Sequence, residues 1–304
     1  MWNVPLTLLE PCGGSPWKLS AFSYTLPGAA LVSDQLSRMV HPVYTVSALL
    51  SLAALAVGAV ALESHAAPDR RALWRAAGLN LGYYLAVTAL VTPVVLLAAP
   101  AIVAAVNRLG GGLIRLPSAG PWFWLSVLVV LLAMDLLEYL YHRMEHAVPF
   151  LWRLHALHHS EEHFNATTAL RQIWFDQLVR ALILSPIIGI AFSVAPGVVV
   201  TERLLRIVNN LQAHMGWRVN WGPLWWLVIS PQYHRCHHST AAHVMNKNFA
   251  PIFPLWDLVF GTCYRPAPGE YGATGLLPSV QPSLAAAILW PVSLSLSQRE
   301  VAHR

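Results

Sequence analysis

Residues 43–62 and 79–106 contain no charged side chain, and residues 121–141 contain two, Asp135 and Glu138. About 20 apolar residues suffice to cross a hydrocarbon core of roughly 30 Å, so each stretch reads as a membrane-crossing helix. A fourth apolar region, residues 173–194, holds Pro186 and ends at Ala195-Pro196-Gly197, after which residues 198–211 lead to His214. The last, residues 284–296, is too short to span and is expected to lie in the interface. This pattern predicts an all-α integral membrane bundle of about four spans.

Composition agrees with a lipid setting. The 304 residues are 56% hydrophobic and 11% charged, where a soluble domain carries about 25% charged residues. The net charge is +5, but the basic residues are scattered as loop and membrane-surface arginines, which argues against a nucleic-acid partner. Cys12, Cys236 and Cys263 are odd in number and widely spaced, and are expected to be free thiols. The first forty residues show no basic segment, short apolar core and small-residue cleavage site in succession, so no cleaved signal peptide is expected. Arg70, Arg71 and Arg75 after the first span outweigh Arg108 and Arg115 after the second, placing the first loop, and with it the end of the third span, in the cytoplasm.

Histidine is concentrated where the third span ends. His142 and His146 are four apart, one turn above each other on a helix, and Asp135 lies close to two turns before them. Pro149 breaks the helix. His155, His158 and His159 then form one stripe, and the same spacing returns at His234, His237 and His238. These eight account for most of the 14 histidines in the chain, which sets them apart from isolated core histidines such as His41, His65 or His303. The later histidines can meet the earlier ones only if the chain between Arg171 and His214 enters the bilayer and returns, so that region reads as a helical hairpin.

Neutral imidazole suits iron, zinc, copper and nickel. Eight or nine nitrogens exceed the four that a tetrahedral zinc site accepts, so two metals are implied. Residues 142–146 also read as the HxxEH pattern of an inverted zinc protease, with Glu145 as general base, but that leaves the other boxes without a role. A histidine-rich metal transporter would place its ligands near the bilayer midplane rather than at span ends and in loops.

With the boxes HRMEH, HALHHS and HRCHHS in this order, the chain resembles the fatty acid hydroxylase and sterol desaturase superfamily of membrane di-iron enzymes. The flanks carry the resemblance further: Asp135 and Tyr141, Trp152, Asn165, the run Thr167-Thr168-Ala169-Leu170-Arg171, Asn248-Phe249, Trp256-Asp257 and Phe260-Gly261-Thr262. The TTALR run looks most like the alkylglycerol monooxygenase branch. The resemblance divides the chain into an N-terminal membrane region (1–120), a catalytic domain (121–264) and a C-terminal tail (265–304).

What the resemblance implies is an O2-dependent hydroxylase, or a desaturase, acting on a C–H bond of a membrane lipid. Two iron ions would be the cofactor and O2 the co-substrate. The ligands would be His142, His146, His155, His158, His159, His214, His234, His237 and His238. Asp135 and Glu138 would orient imidazole N–H groups, and Asn165 and Arg171 would serve the site or the lipid headgroup. His163 and His243 stand beside boxes two and three but outside the implied ligand set. With no nucleotide fingerprint, haem-binding domain or iron–sulfur motif in the chain, electrons would come from a separate ferredoxin, cytochrome or small reductant. The preponderance of arginine over lysine, 17 to 2, points to a bacterial inner membrane, with the boxes facing the cytoplasm.

Overall fold

Lipid offers a backbone no hydrogen-bonding partner, and the apolar stretches answer with helices that satisfy themselves. The computed structural model describes residues 42–290, which belong to one compact unit beginning at Pro42. Cys12, His41, His303 and the end of the last apolar stretch lie outside the described residues.

Helix α1 (Pro42–Glu63) covers the first expected span. Its end is fixed by Arg70, whose Nε donates to the Ser64 carbonyl at 2.6 Å. Helix α2 (Arg70–Tyr83) opens on Asp69, whose side chain accepts from Ala72 N, satisfying a donor that the first turn would otherwise leave bare. The second expected span is not one uninterrupted helix. α2 begins nine residues before residue 79, a π-helical turn spans Tyr84–Thr88, and α3 (Ala89–Arg108) follows. Two buried tyrosines stand where the turn begins: Tyr83 packs with Leu154 and Leu157, and Tyr84 with Ala53 and Ala169.

A two-residue strand, β1 (Ile114–Arg115), precedes α4 (Trp122–Ala147), which ends where Val148 turns extended and Pro149 opens α5 (Pro149–His159). Proline fits a first helical turn, where its missing N–H costs nothing. Next come α6 (Asp176–Ala191), β2 (Phe192–Ser193) and α7 (Pro196–Ala213), and α6 and α7 each pack against α3 and α4. β2 pairs in parallel with β1, Ile114 opposite Phe192. Asn107 donates to the carbonyls of Gly189 and Phe192 at 2.6 and 2.9 Å. A Cβ on Gly189 would stand 2.9 Å from Val106 Cβ and 3.2 Å from Val103 Cα, so glycine is what lets α3 and α6 approach.

Helices α3, α4, α6 and α7 share one apolar interior built from Val103, Val130, Met134, Leu184, Ile188 and Val198. Among the described residues, 91–108 and 122–147 are the two stretches long and apolar enough to cross a membrane by length and composition. The remaining short α-helices are α8 (Pro231–His237), which packs on α7, α9 (Leu255–Val259), and α10 (Leu284–Ile288), which packs on α2. Of the stretch expected to lie in the interface, the described part packs on the protein on one side, where Ala287 and Trp290 are buried against α5 and Trp290 Nε1 donates to the Arg153 carbonyl at 2.7 Å.

Candidate metal centre

Local helix geometry sets out the imidazoles. His142 and His146 sit in the last turns of α4, and His155, His158 and His159 in α5. His214 is the residue that ends α7. Ser230 caps α8 by accepting from Tyr233 N, and that seven-residue helix carries His234 and His237, with His238 at its C-terminal boundary.

These nine residues come together as two groups. His142, His146, His155, His159 and His237 form one; His158, His214, His234 and His238 form the other; in each, one ligand atom per residue lies within 4.8 Å of all the rest. Boxes two and three are exchanged reciprocally. Each gives its i, i+4 pair to one group and its middle histidine to the other, since the middle position is rotated off the stripe its neighbours share.

The chemistry of the donors fits a metal. Nε2–Nε2 separations are 3.1 Å for His142–His155, 3.1 Å for His158–His214, 3.0 Å for His214–His234 and 3.2 Å for His234–His238. Nitrogens bound at about 2.1 Å to one ion stand about 3.0 Å apart at right angles and roughly 3.4 Å apart at tetrahedral angles. The outward nitrogens are tied down: His142, His214 and His237 donate from Nδ1 to the carbonyls of Phe249 (2.8 Å), Asn210 (2.7 Å) and Lys247 (2.8 Å). That fixes the tautomer and leaves Nε2 as a lone pair facing inward. Nε2 of His146, His159 and His237 is buried without a hydrogen-bond partner, an arrangement that costs free energy unless something accepts those lone pairs.

Burial also holds the imidazoles neutral. It pushes His214 and His237 down to about 4, and His155, His158, His159, His234 and His238 well below the usual histidine range, with neighbouring imidazoles adding to the effect on these five. A neutral imidazole is the form that ligates.

The four polar residues expected around the ligands have other partners. Asp135 accepts from Phe253 N at 3.0 Å, tying the segment after box three to α4. Glu138 accepts from Arg180 and Arg206, both at 2.5 Å. Asn165 caps the short turn Ala166–Leu170 by accepting from Thr167 N, and Arg171 is buried against Glu161 (2.9 Å) and Ser160 (2.7 Å). None of these contacts is to an imidazole. The carboxylate that does face one is Glu145, read from sequence only as a protease base: Oε1 lies 3.5 Å from His155 Nδ1, and Oε2 accepts from Arg180 at 2.5 Å. Its position within box one, three residues from His142, was the available signal. Gln172, whose side-chain amide is 3.2 Å from His158 Nδ1, carried no such signal. His163 and His243 are exposed and belong to neither group, and His243 pairs with Glu270.

Both groups open onto one cavity of about 220 Å³. His142 and His155 of the first group and His158, His214 and His234 of the second line it, together with Leu52, Tyr84, Leu170, Leu211, Ile229 and Ile252. One side of the cavity is ionic. Arg180 bridges Asp176, Glu138 and Glu145, and Arg206 bridges Glu138 and Glu202.

Residues 127–262 match the fatty acid hydroxylase family. Over 150 residues the chain is 34% identical to an alkylglycerol monooxygenase from Xenopus tropicalis, covering 49% of this chain and 32% of that protein. Over 166 residues it is 27% identical to the ornithine lipid hydroxylase OlsE of Rhizobium tropici, covering 50% and 47%. Over 152 residues it is 28% identical to human cholesterol 25-hydroxylase, covering 45% and 50%. The match thus covers between 28% and 50% of the length of these and similar curated relatives. No solved structure matches.

Proposed function

We propose that this chain, whose residues 127–262 match the fatty acid hydroxylase family, is an O2-dependent di-iron monooxygenase that hydroxylates a C–H bond of a membrane lipid. The observation that carries the reading is the division of nine buried or half-buried histidines into two groups, both of which contribute members to the lining of one cavity. Two iron ions would be held by His142, His146, His155, His159 and His237, and by His158, His214, His234 and His238. The bound metals would supply the activation of O2, and electrons would come from a separate donor.

The chain's own residues do the positioning. Backbone carbonyls of Phe249, Asn210 and Lys247 hold three imidazoles in the Nδ1–H tautomer, so their Nε2 atoms are preorganised as ligands. Glu145 stands behind His155 and is itself held by Arg180. Leu170, Leu211, Ile229 and Ile252 give the cavity an apolar wall suited to an acyl or alkyl chain and able to exclude water. In this reading about four helical segments enter the bilayer, residues 121–264 form the catalytic domain, and the histidine end faces the cytoplasm at a bacterial inner membrane.

The test is lipid mass spectrometry on cells with and without the gene, grown under 18O2. The expected result is a membrane lipid heavier by one labelled oxygen. Loss of two hydrogens with no oxygen gained would make the protein a desaturase, and an unchanged lipidome would overturn the reading.

A further inference from the structure

We propose that two non-spanning segments, residues 224–227 and 255–260, form a lipid-facing platform that sinks the histidine end of the protein into the headgroup layer of an anionic bilayer. The proposal rests on reading α4 as a membrane span. The two segments lie side by side, since Trp225 and Trp256 pack into the same cluster around Tyr139 of α4. Their outward side chains are apolar: Leu224 is 56% exposed, Trp226 52%, Leu258 47% and Val259 62%. Large apolar side chains gathered on one surface mark a partner, and lipid is the one the surroundings favour.

Three observations select it. The helix against which both tryptophans pack turns apolar side chains outward too, since Leu140 and Met144, one turn apart on α4, are exposed. The platform's height is right as well. Trp122 and Trp124 stand exposed at the other end of α4, and the rise from Trp122 to Tyr139 is about 26 Å of helix, close to a hydrocarbon thickness of about 30 Å. The stretches 217–227 and 253–265 carry three charged residues, Arg218, Asp257 and Arg265. Asp257 is buried and both arginines are exposed, so the charge offered outward is positive, and Arg265 lies 5.1 Å over the Trp225 ring. Tryptophan with arginine is the composition of a headgroup boundary, and anionic lipid adds attraction for each exposed cation.

The platform also touches the site. Ile229 and Ile252 both line the cavity, and Ile229 N donates to the Ile252 carbonyl at 2.8 Å. The chain leaves the cavity wall at these two residues and reaches the platform within three residues on either side. A platform seated among headgroups holds that wall at the depth where a lipid's acyl chain begins.

The test uses the full chain in phosphatidylcholine–phosphatidylglycerol vesicles, with one introduced cysteine at a time carrying an environment-sensitive fluorophore on a Cys12→Ser, Cys263→Ser background that keeps only the buried Cys236. Labels at Leu128→Cys on α4, Leu258→Cys on the platform and His243→Cys on an exposed turn are compared with lipids brominated at shallow or deep positions. Deep quenching at 128, shallow quenching at 258 severalfold above that at 243, and a rise at 258 with phosphatidylglycerol content are expected. Quenching at 128 without quenching at 258, or cross-linking of 258 to a second copy in its place, overturns the platform and leaves the span intact. No quenching at 128 overturns the span itself.

Discussion

His159 and His238 stack face to face, ring centroids 4.2 Å apart and planes 16° from parallel, although they belong to different histidine groups. The contact is the seam between the two groups. It arises because box two and box three face one another with their stripes crossed, so that the last histidine of each meets the other.

For the proposed di-iron site, the crossing predicts that single substitutions separate the two metals. His214→Ala removes a donor from the four-histidine group and should leave about one iron per chain by elemental analysis, with one species lost from the Mössbauer spectrum. His237→Ala should also lower the iron content, but with the complementary species lost. Loss of the same species from both variants would contradict the grouping.

His163→Ala and His243→Ala should keep the full metal complement and turnover. Both side chains are exposed, and the contact His243 makes with Glu270 is a surface pair of little energetic weight. Metal analysis of the purified variants checks this directly.

Arg180→Met should destabilise the protein strongly. It would strand Asp176, Glu138 and Glu145, each 2.5 Å from the guanidinium in a largely buried setting. Breaking one buried pair by removing a partner costs about 3–5 kcal/mol. Thermal unfolding in detergent should fall well below wild type, and Arg180→Lys should recover part of the loss because it restores charge without the guanidinium's spread of donors.

Metal uptake at pH 7 should release few protons. His214 and His237, held near 4 by burial, are already neutral there, so the calorimetric heat of metal binding should be nearly the same in buffers of different ionisation enthalpy. The same shift fixes the sign for stability. Below the ordinary histidine value of 6.5 the unfolded chain takes up protons that the folded, metal-free chain refuses until about 4. Metal-free protein should therefore lose stability as pH falls from 6.5 toward 4, with no contribution from these two groups above that window. Denaturation midpoints at pH 7.5, 6 and 5 check it.

The histidines were legible in the sequence because spacing on a helix is a local property: four residues apart means one face. How the boxes are shared between two groups was not, since it depends on the angle at which α5 and α8 meet. The carboxylates illustrate the same limit. Asp135 and Glu138 lie on the helix of box one and were natural candidates to orient imidazoles, but tertiary contacts gave Asp135 to a backbone N–H and Glu138 to two arginines from α6 and α7. Two helices between Arg171 and His214 were foreseen from connectivity, but that each packs on α3 and α4 rather than on the other was not. Nor was the π-helical turn at Tyr84–Thr88, because nothing in a uniformly apolar run distinguishes it from α-helix.

The cavity meets five of the nine histidines, His142, His155, His158, His214 and His234, while His146, His159, His237 and His238 do not line it. A chain lying there is approached from one flank only, and the two hydrogens of any methylene become inequivalent by enclosure alone. Under the proposed hydroxylation, the handedness of the product would be set by Leu170, Leu211, Ile229 and Ile252 rather than by the metals. Enlarging that wall, as in Leu211→Ala, should erode the enantiomeric purity of the alcohol before it erodes the rate.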